Sequence, residues 1–299
     1  SYTPAQLDLG FALILLLYEV REERHQERIS YRDHLTENLD FPFAEFRAAQ
    51  RNMAARNYKA LASGEHLLLE APTGSGKTIG ALYPAVKALR KDEKIFFLTA
   101  RNSGAEAAIK ASLLLQEKNS ALTCVELTAR RKACFCERVG EEKTSCPFSQ
   151  GYYDRSMSAT NELLSLGSGG KSEIERVAEK HSVCPFELSL DTATWADIVV
   201  GDLNYVFDPY VALKRFQDRE RFILLVDEAH QLADRVKEML SASLTLETNT
   251  LLALTSPEVG ASIANIEMRI VDLANRYLFE VGEIEIERDE VLELSLIHI

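Results

Sequence analysis

The chain has 299 residues, of which 46% are hydrophobic, and its formal net charge is −12. This length suits one large domain or two ordinary ones, and the apolar content excludes a disordered chain. The acidic balance excludes a generally basic coat, so any contact with nucleic acid must come from a local patch or groove.

Cysteine usage and hydropathy indicate the cellular compartment. The five cysteines are an odd number without a secretory signal, which argues against a disulfide framework. Four of them lie between residues 134 and 184, a clustering that suggests metal binding in a reducing compartment. The most apolar stretch, residues 11–17, is too short to span a bilayer and lacks the flanks of a signal peptide. We therefore expect a cytoplasmic protein in which residues 11–17 belong to a buried helix.

Hydrophobic periodicity predicts the elements in chain order. Residues 7–38 have a helical pattern that is first apolar and then charged, and residues 47–64 have a second one that ends at Gly64. The apolar run at 66–70 predicts a short strand before a glycine-rich turn. The later predicted elements are a helix at 77–89 kinked by Pro84, a buried strand at 95–100, a helix at 104–117, strands at 197–202 and 221–230, and an acidic helical stretch at 236–293.

This alternation of strands and helices predicts an α/β domain whose parallel sheet is covered on both faces. It breaks off between residues 124 and 196, where the cysteines and a Gly/Ser-rich loop at 165–172 occur. We interpret residues 124–196 as an insertion into the α/β domain.

The segment between the predicted strand at 66–70 and the helix at 77–89 has the pattern of a phosphate-binding loop. Gly74 and Gly76 let the backbone approach phosphates, whose charge is favoured at a helix N-terminus. Lys77 would contact the β and γ phosphates, and the Thr78 hydroxyl would bind Mg²⁺. Ala71 stands where the general pattern has glycine. The predicted nucleotide contacts in the loop are Ala71, Pro72, Thr73, Gly74, Ser75, Gly76, Lys77 and Thr78.

A second acidic motif follows the apolar strand at 221–230. A buried strand that ends in Asp227 and Glu228 places both carboxylates at the carboxyl edge of the sheet. We expect Asp227 to hold Mg²⁺ and Glu228 to act as general base on the attacking water. His230 would link the nucleotide site to the nucleic-acid site, although an ordinary surface histidine is the alternative.

Taken together, these motifs resemble those of superfamily 2 helicases. Upstream, Phe46, Arg47 and Gln50 are similar to the FRxxQ element of the XPD/DinG-like (Rad3-related) branch, in which Gln50 would lie near the adenine; solvated helix residues are the alternative. Residues 98–101 (LTAR) resemble motif Ia, where Thr99 would touch a DNA phosphate. Residues 204–209 (NYVFDP) resemble another segment of that branch.

The resemblance implies a RecA-like motor domain interrupted by an iron–sulfur insertion. The expected boundaries are a helical lead-in at 1–40, motor domain 1 at 41–123 and 197–245, the insertion at 124–196, and the start of a helical arch domain at 246–293. Residues 294–299 (LSLIHI) look like a translated sequencing-adapter end, although an apolar strand is the alternative, and we expect no function there.

In that branch, four cysteines between these motifs hold a 4Fe–4S cluster. The matching candidates are Cys134, Cys136, Cys146 and Cys184, although relatives place a cysteine at the position of Glu141. Structural zinc and a metal-free site are the alternatives. Cys124 lies in an apolar stretch and is expected to be a buried strand residue. The residues beside the candidate ligands that suit a single-strand path are Arg130, Arg131, Lys132, Tyr152, Tyr153 and Arg155, although a solvated loop with core tyrosines is the alternative.

The implied activity is ATP hydrolysis coupled to 5′-to-3′ movement along single-stranded DNA and to unwinding of forked DNA by a monomer. A second motor domain would supply the arginine finger, so we expect residues 1–299 alone to be inactive. A nuclease-like domain preceding residue 1 is a further expectation. The alternatives are an ATP-dependent nuclease or translocase, and a metal-stabilised nucleic-acid-binding module with a vestigial ATP site.

Overall fold

The computed structural model describes residues 3–47, 49–72, 74–91, 93–136, 146–208, 211–213, 216, 222–241 and 268. The chain divides into two compact units, Ser1–Met239 and Leu240–Ile299. Only residues 240, 241 and 268 of the second unit are described. The predicted arch segment at 246–293, except Met268, and residues 294–299 therefore lie outside the described residues.

The first unit alternates helices and strands as the periodicity predicts. Its strands are β1 (Lys94–Leu98), β2 (Cys124–Glu126), β3 (Ser168–Gly169), β4 (Ile198–Gly201) and β5 (Phe222–Val226). Its helices are α1 (Pro4–Glu37), α2 (Gln50–Ser63), α3 (Lys77–Ala88), α4 (Asn102–Gln116), α5 (Arg130–Ala133), α6 (Tyr152–Ser165), α7 (Lys171–His181), α8 (Pro185–Trp195), α9 (Asn204–Phe207) and α10 (Leu232–Met239), with a 3₁₀ turn at Ala229–Gln231 before α10.

All five strands form one parallel sheet in the order β3-β2-β4-β1-β5. The inner strand β1 is fully buried and pairs with β4 on one side and with β5 on the other, so that Leu98 lies opposite both Gly201 and Val226. Because the strands are parallel and in register, their carboxyl ends meet at one edge of the sheet. The predicted parallel α/β sheet is confirmed.

Two apolar layers cover the sheet, as the period of two along β1 requires. Ile95 and Phe97 pack with residues of α3 and α4, including Leu82 and Leu115. Phe96 and Leu98 face the other way and pack with residues of α6, α7 and α8. That second layer includes Leu163, Val177 and Leu188.

The second apolar layer contains many residues from the range 124–196. The strands β2 and β3 lie inside the range predicted for the insertion, yet they are hydrogen-bonded members of the common sheet. The helices α6, α7 and α8 from the same range form one of its covers. Strands of three and two residues are too short to show a detectable period, so the sequence pattern does not reveal them.

The predicted strand at 66–70 is wrong, because these residues have no regular secondary structure. The side chain of Leu68 is 88% exposed, and Leu67 is also exposed. A strand needs a neighbour for its backbone hydrogen bonds. Among the described residues β5 is an edge strand that pairs only with β1, and the run at 66–70 does not pair with its free edge.

A buried ion cluster fixes the charged half of α1 to the amino-terminal edge of the sheet. The Asp197 carboxylate, directly before β4, accepts hydrogen bonds from Arg28 at 2.5 Å and Arg32 at 2.6 Å. It also accepts from the backbone amide and the hydroxyl of Thr123, each at 2.8 Å. Burial alone would raise the pKa of Asp197, but the two guanidinium charges and these hydrogen bonds hold it well below its usual range.

The apolar half of α1 is exposed, which contradicts the expectation of a buried helix at 11–17. The side chains of Phe11 and Ile14 are 63% and 65% exposed. The charged half docks because its arginines meet Asp197, and hydropathy alone does not detect such pairing. Across the described residues, none of the helices combines the length and the apolar character that crossing a bilayer demands.

The pH dependence of stability should reveal the environment of His25, which lies on α1. Its ring packs edge-on against Trp195 with 5.1 Å between the ring centroids. Burial and the neighbouring Arg28 charge lower the pKa of His25 to about 4. The unfolded chain takes up a proton near pH 6.5, which the folded chain does not. The free energy of unfolding should therefore fall as the pH decreases from about 6.5 to about 4.

The measurement is urea denaturation across this pH range for the wild type and His25→Gln. The variant has no titrating ring at this position, so its slope of stability against pH should be smaller in this window. An unchanged slope would contradict the assignment. Below this window both proteins should lose stability together, because protonation of Asp197 opposes folding in each.

Candidate functional site

The phosphate-loop segment forms a tight turn that leads directly into α3. Gly74 has φ 76° and Gly76 has φ 78°, backbone conformations that a side chain disfavours. Gly76 is the N-cap of α3, which begins at Lys77 and has no side-chain cap. The helix thus presents backbone N–H groups at its start that no capping side chain occupies.

One side chain of the loop suits a polar ligand. The Ser75 hydroxyl is buried and has no hydrogen-bond partner among the described residues. Lys77, Thr78 and Ala71 are half-buried. Pro72 is exposed, and Thr73 lies outside the described residues. A buried hydroxyl beside an uncapped helix start fits a phosphate oxygen as its missing partner.

The FRxxQ element contacts this loop directly. The Arg47 guanidinium donates to the carbonyl of Gly74 at 2.5 Å, and the Gln50 side-chain amide donates to the carbonyl of Gly76 at 3.1 Å. The Gln50 side-chain oxygen accepts from the Arg47 backbone amide at 3.0 Å. Gln50 is buried, so the alternative of solvated helix residues is wrong for Gln50. Its predicted place beside an adenine stays a prediction.

Close packing of α2 on α3 positions Gln50. Gly80 on α3 lies so near the Met53 side chain that a methyl group at Gly80 would overlap it. Asn57 donates to the Gly80 carbonyl at 3.3 Å. The sequence signal for this close approach is weak, because a single glycine in a helix indicates only that space is limited.

The acidic motif lies at the carboxyl edge of the sheet. Asp227 follows β5, and its amide donates to the Leu98 carbonyl at 2.8 Å, which extends the ladder by one residue. Glu228 has φ 54°, an unusual conformation for a residue with a side chain and a common feature of functional sites. His230 is exposed, and its Nδ1 lies 3.4 Å from a Glu228 carboxylate oxygen.

The LTAR element meets the acidic motif at the same edge. Thr99 is buried, and its hydroxyl accepts from the Arg101 amide at 3.3 Å. The expected contact between Thr99 and a DNA phosphate stays a prediction. A Cβ atom at Gly104, in the first turn of α4, would lie 3.1 Å from the Asp227 Oδ2 atom.

Three of the candidate cluster ligands pack together. Cys134, Cys136 and Cys146 form a small buried group with Phe148 at its side, and the sulfurs of Cys136 and Cys146 are 2.7 Å apart. Cys184 is the N-cap of α8. Burial raises the pKa of the Cys184 thiol, which packs in the second apolar layer of the sheet and not in this group.

The donor set fits a metal centre in its chemistry. Thiolates are the ligands that zinc and iron–sulfur clusters prefer. Within the described part of the chain, however, no three potential ligands have the arrangement that would hold a metal ion. Glu141 lies outside the described residues. Cys124 is a buried residue of β2, as predicted, and burial raises its thiol pKa to about 12.

The basic and aromatic residues near the cysteines differ in availability. Arg130, Arg131 and Lys132 are exposed on α5, and the side chain of Tyr153 is 88% exposed. Tyr152 is instead buried, and its hydroxyl donates to Asp191 at 2.8 Å. Arg155 is half-buried and donates to the Ser182 carbonyl at 2.9 Å. Tyr152 therefore follows the alternative of a core tyrosine, whereas Tyr153 remains available on the surface.

Family models match most of the described chain. The DEAD_2 model matches residues 84–249, and the DEAD/DEAH box helicase model matches residues 51–114. The chain is 25% identical over 263 residues to the XPD subunit of the general transcription and DNA repair factor IIH of Dictyostelium discoideum, with 78% of this chain and 33% of the relative covered. It is 24% identical over 299 residues to the ATP-dependent DNA helicase DinG of Escherichia coli (strain K12), with 84% of this chain and 42% of the relative covered.

Solved structures agree with the fold. An XPD helicase structure superposes with a TM-score of 0.55 and 18% identity and covers 86% of this chain and 46% of that structure. The chain thus spans between about a third and about half of the length of these relatives. Since the DEAD_2 match extends over more than half of the chain, this chain belongs to the DEAD_2 family, within the XPD/DinG-like (Rad3-related) helicases.

Proposed function

We propose that this chain is the ATP-binding motor part of a DNA helicase. The observation that supports the proposal best is the loop before α3. Two glycines with positive φ, an uncapped helix start at Lys77 and a buried, unpartnered Ser75 hydroxyl form a cradle for phosphates. XPD and DinG relatives named as helicases agree with this activity.

Different residues of the loop make different contacts with the nucleotide. Lys77 neutralises the β and γ phosphates, while the amides at the start of α3 and the Ser75 hydroxyl hold phosphate oxygens. Arg47 and Gln50 keep the loop in shape through the carbonyls of Gly74 and Gly76. Gln50 acts on the nucleotide through the loop, and contact with the adenine requires its side-chain amide to leave Gly76.

Hydrolysis uses the acidic motif. Thr78 and Asp227 would hold Mg²⁺, which supplies positive charge to the phosphates during their transfer. Glu228 accepts the proton of the attacking water, and its unusual φ fixes the direction of the carboxylate. His230 is exposed 3.4 Å from Glu228, a position from which it can relay a change at the nucleic-acid side.

The DNA partner is proposed from local charge. The chain is acidic overall, but three consecutive cations at 130–132 are exposed beside the cysteine group, with Tyr153 available to stack on a base. Exposed cations and an aromatic face suit single-stranded DNA. We expect movement in the 5′-to-3′ direction on forked substrates.

The four cysteines would hold a 4Fe–4S cluster whose role is mechanical. Cys134, Cys136 and Cys146 are already grouped, and Cys184 is the N-cap of α8. A bound cluster would tie the α5 segment to the start of α8, whose Leu188 lies in the sheet's second apolar layer. The cations at 130–132 would then be fixed rigidly on the motor domain.

Nucleotide binding should depend on Lys77. We expect the chain to bind Mg-ATP weakly and Lys77→Ala to abolish detectable binding, because no other lysine lies in the loop. Isothermal calorimetry on both proteins tests this expectation. Equal affinities would refute the nucleotide site, provided that both proteins have the same melting temperature.

The hydrogen bond from Gln50 on α2 to the loop should increase nucleotide affinity. Gln50→Glu keeps the shape of the side chain but turns the donor to Gly76 into an acceptor, so two oxygens would repel each other. We expect weaker ATP binding. Asn57→Asp is the matched control, since it removes a similar bond to Gly80 on the same helix pair but away from the loop. Equal effects of both changes on affinity would contradict a specific role of Gln50.

The metal content should distinguish between an iron–sulfur cluster, structural zinc and a metal-free site in the cysteine group. Protein purified without oxygen should be brown and contain about four irons per chain. Cys134→Ser, Cys146→Ser and Cys184→Ser should each bleach it, whereas Cys124→Ser should leave the colour unchanged because Cys124 is a residue of β2. Stoichiometric zinc without iron would overturn the iron–sulfur proposal.

Loss of the metal should separate ATP hydrolysis from unwinding. In the complete protein, Cys146→Ser should retain DNA-stimulated ATPase activity and lose strand displacement. Glu228→Gln should lose both. Wild-type unwinding by Cys146→Ser would show that the cluster has no mechanical role.

A further inference from the structure

The first turn of α4 packs directly against the acidic motif. Gly104 is the third residue of α4, and its Cα faces both Thr99 and Asp227. A methyl group on Gly104 would overlap the Thr99 hydroxyl and would lie 3.1 Å from Asp227 Oδ2. Such a contact is closer than side chains normally make, so any residue other than glycine must displace one of these groups.

Thr99 cannot yield easily, because it is buried and branched at Cβ and its hydroxyl already accepts from the Arg101 amide. The backbone of Asp227 is held by its amide, which donates to the Leu98 carbonyl at 2.8 Å. The half-buried Asp227 carboxylate lies beside the start of α4, so a methyl group there would press on it.

We propose that Gly104 is a positioning residue for Asp227. Because glycine has no side chain, α4 can approach the carboxylate. This close packing would fix the rotamer from which Asp227 would hold Mg²⁺. The inference rests on the proposed function, because it assigns to Gly104 the geometry of the metal-bearing carboxylate rather than a part in the phosphate cradle. Gly104 itself touches neither nucleotide nor metal.

The proposal predicts a defect that is specific for Mg²⁺. In Gly104→Ala the methyl group pushes the first turn of α4 or the Asp227 carboxylate aside. Affinity for ADP in the presence of Mg²⁺ should fall about tenfold, which is the lower end of the effect of altering a group that supports a metal ligand. Affinity for ADP in EDTA should stay unchanged, because the loop at 74–78 is not affected. A general structural defect would weaken both.

A second variant and a matched control keep the test decisive. Thr99→Ala in the Gly104→Ala background removes the overlapping hydroxyl and should restore most of the affinity that depends on Mg²⁺. Gly170→Ala is the control, since Gly170 also lies between a strand end and a helix start, and its Cβ would meet mainly the flexible end of Glu173. It should bind like the wild type under both conditions.

The experiment is calorimetric titration of ADP into the four proteins and into Lys77→Ala, with Mg²⁺ and with EDTA. A wild type that binds no better than Lys77→Ala would refute the proposed function. A wild type that exceeds Lys77→Ala, together with a Gly104→Ala variant that matches the wild type in Mg²⁺, would overturn the role of Gly104 alone. Equal loss in Mg²⁺ and in EDTA would also overturn it.

Discussion

The placement of β1 between β4 and β5 is the constraint on which the other features depend. All five buried residues of β1 pair in parallel with β5 and four of them with β4, so that Leu98 lies opposite both Gly201 and Val226. This register brings Thr99 and Asp227, which are 128 positions apart in the numbering, to the same edge of the sheet. It also divides β1 into two sets of side chains, so that both faces need a helical cover.

The two edges of the sheet have different chemistry. At the carboxyl edge, the half-exposed carboxylates of Asp227 and Glu228 lie beside the first turn of α4 and are suited to a cation. At the amino edge, Asp197 is buried and has its charge matched by Arg28 and Arg32. Removing one partner of such a buried group costs roughly 3–5 kcal/mol in comparable proteins, so the amino edge serves as an anchor for α1.

The cysteine-bearing segment is connected to the sheet by packing, which an independent insertion would lack. Cys184 begins α8, and the same helix contributes Leu188 to the layer under β1. A metal that joins Cys184 to Cys134 would therefore connect the exposed cations of α5 to the sheet itself. Changes at α5 would then reach the carboxyl edge through packed helices rather than through a flexible link.

The sequence by itself determined the local chemistry of this protein. The glycines and Lys77 of the loop, the acids after β5, the periodic helices and the buried strand β1 all follow from short-range pattern, and the structure and the family comparisons agree with their type. These features depend on residues close together in the chain, where conformational preference and burial act over a few positions. Family resemblance added the expected partners of those motifs.

The tertiary structure alone decided what depends on contacts between distant residues. A two-residue strand such as β3 exists only because β2 offers a ladder, whereas the run at 66–70 stays irregular although β5 has a free edge. The polar half of α1 docks and the apolar half remains exposed, since a buried Asp197 outweighs hydropathy. The requirement for glycine at position 104 likewise arises from Asp227 and Thr99, whose approach no local pattern records.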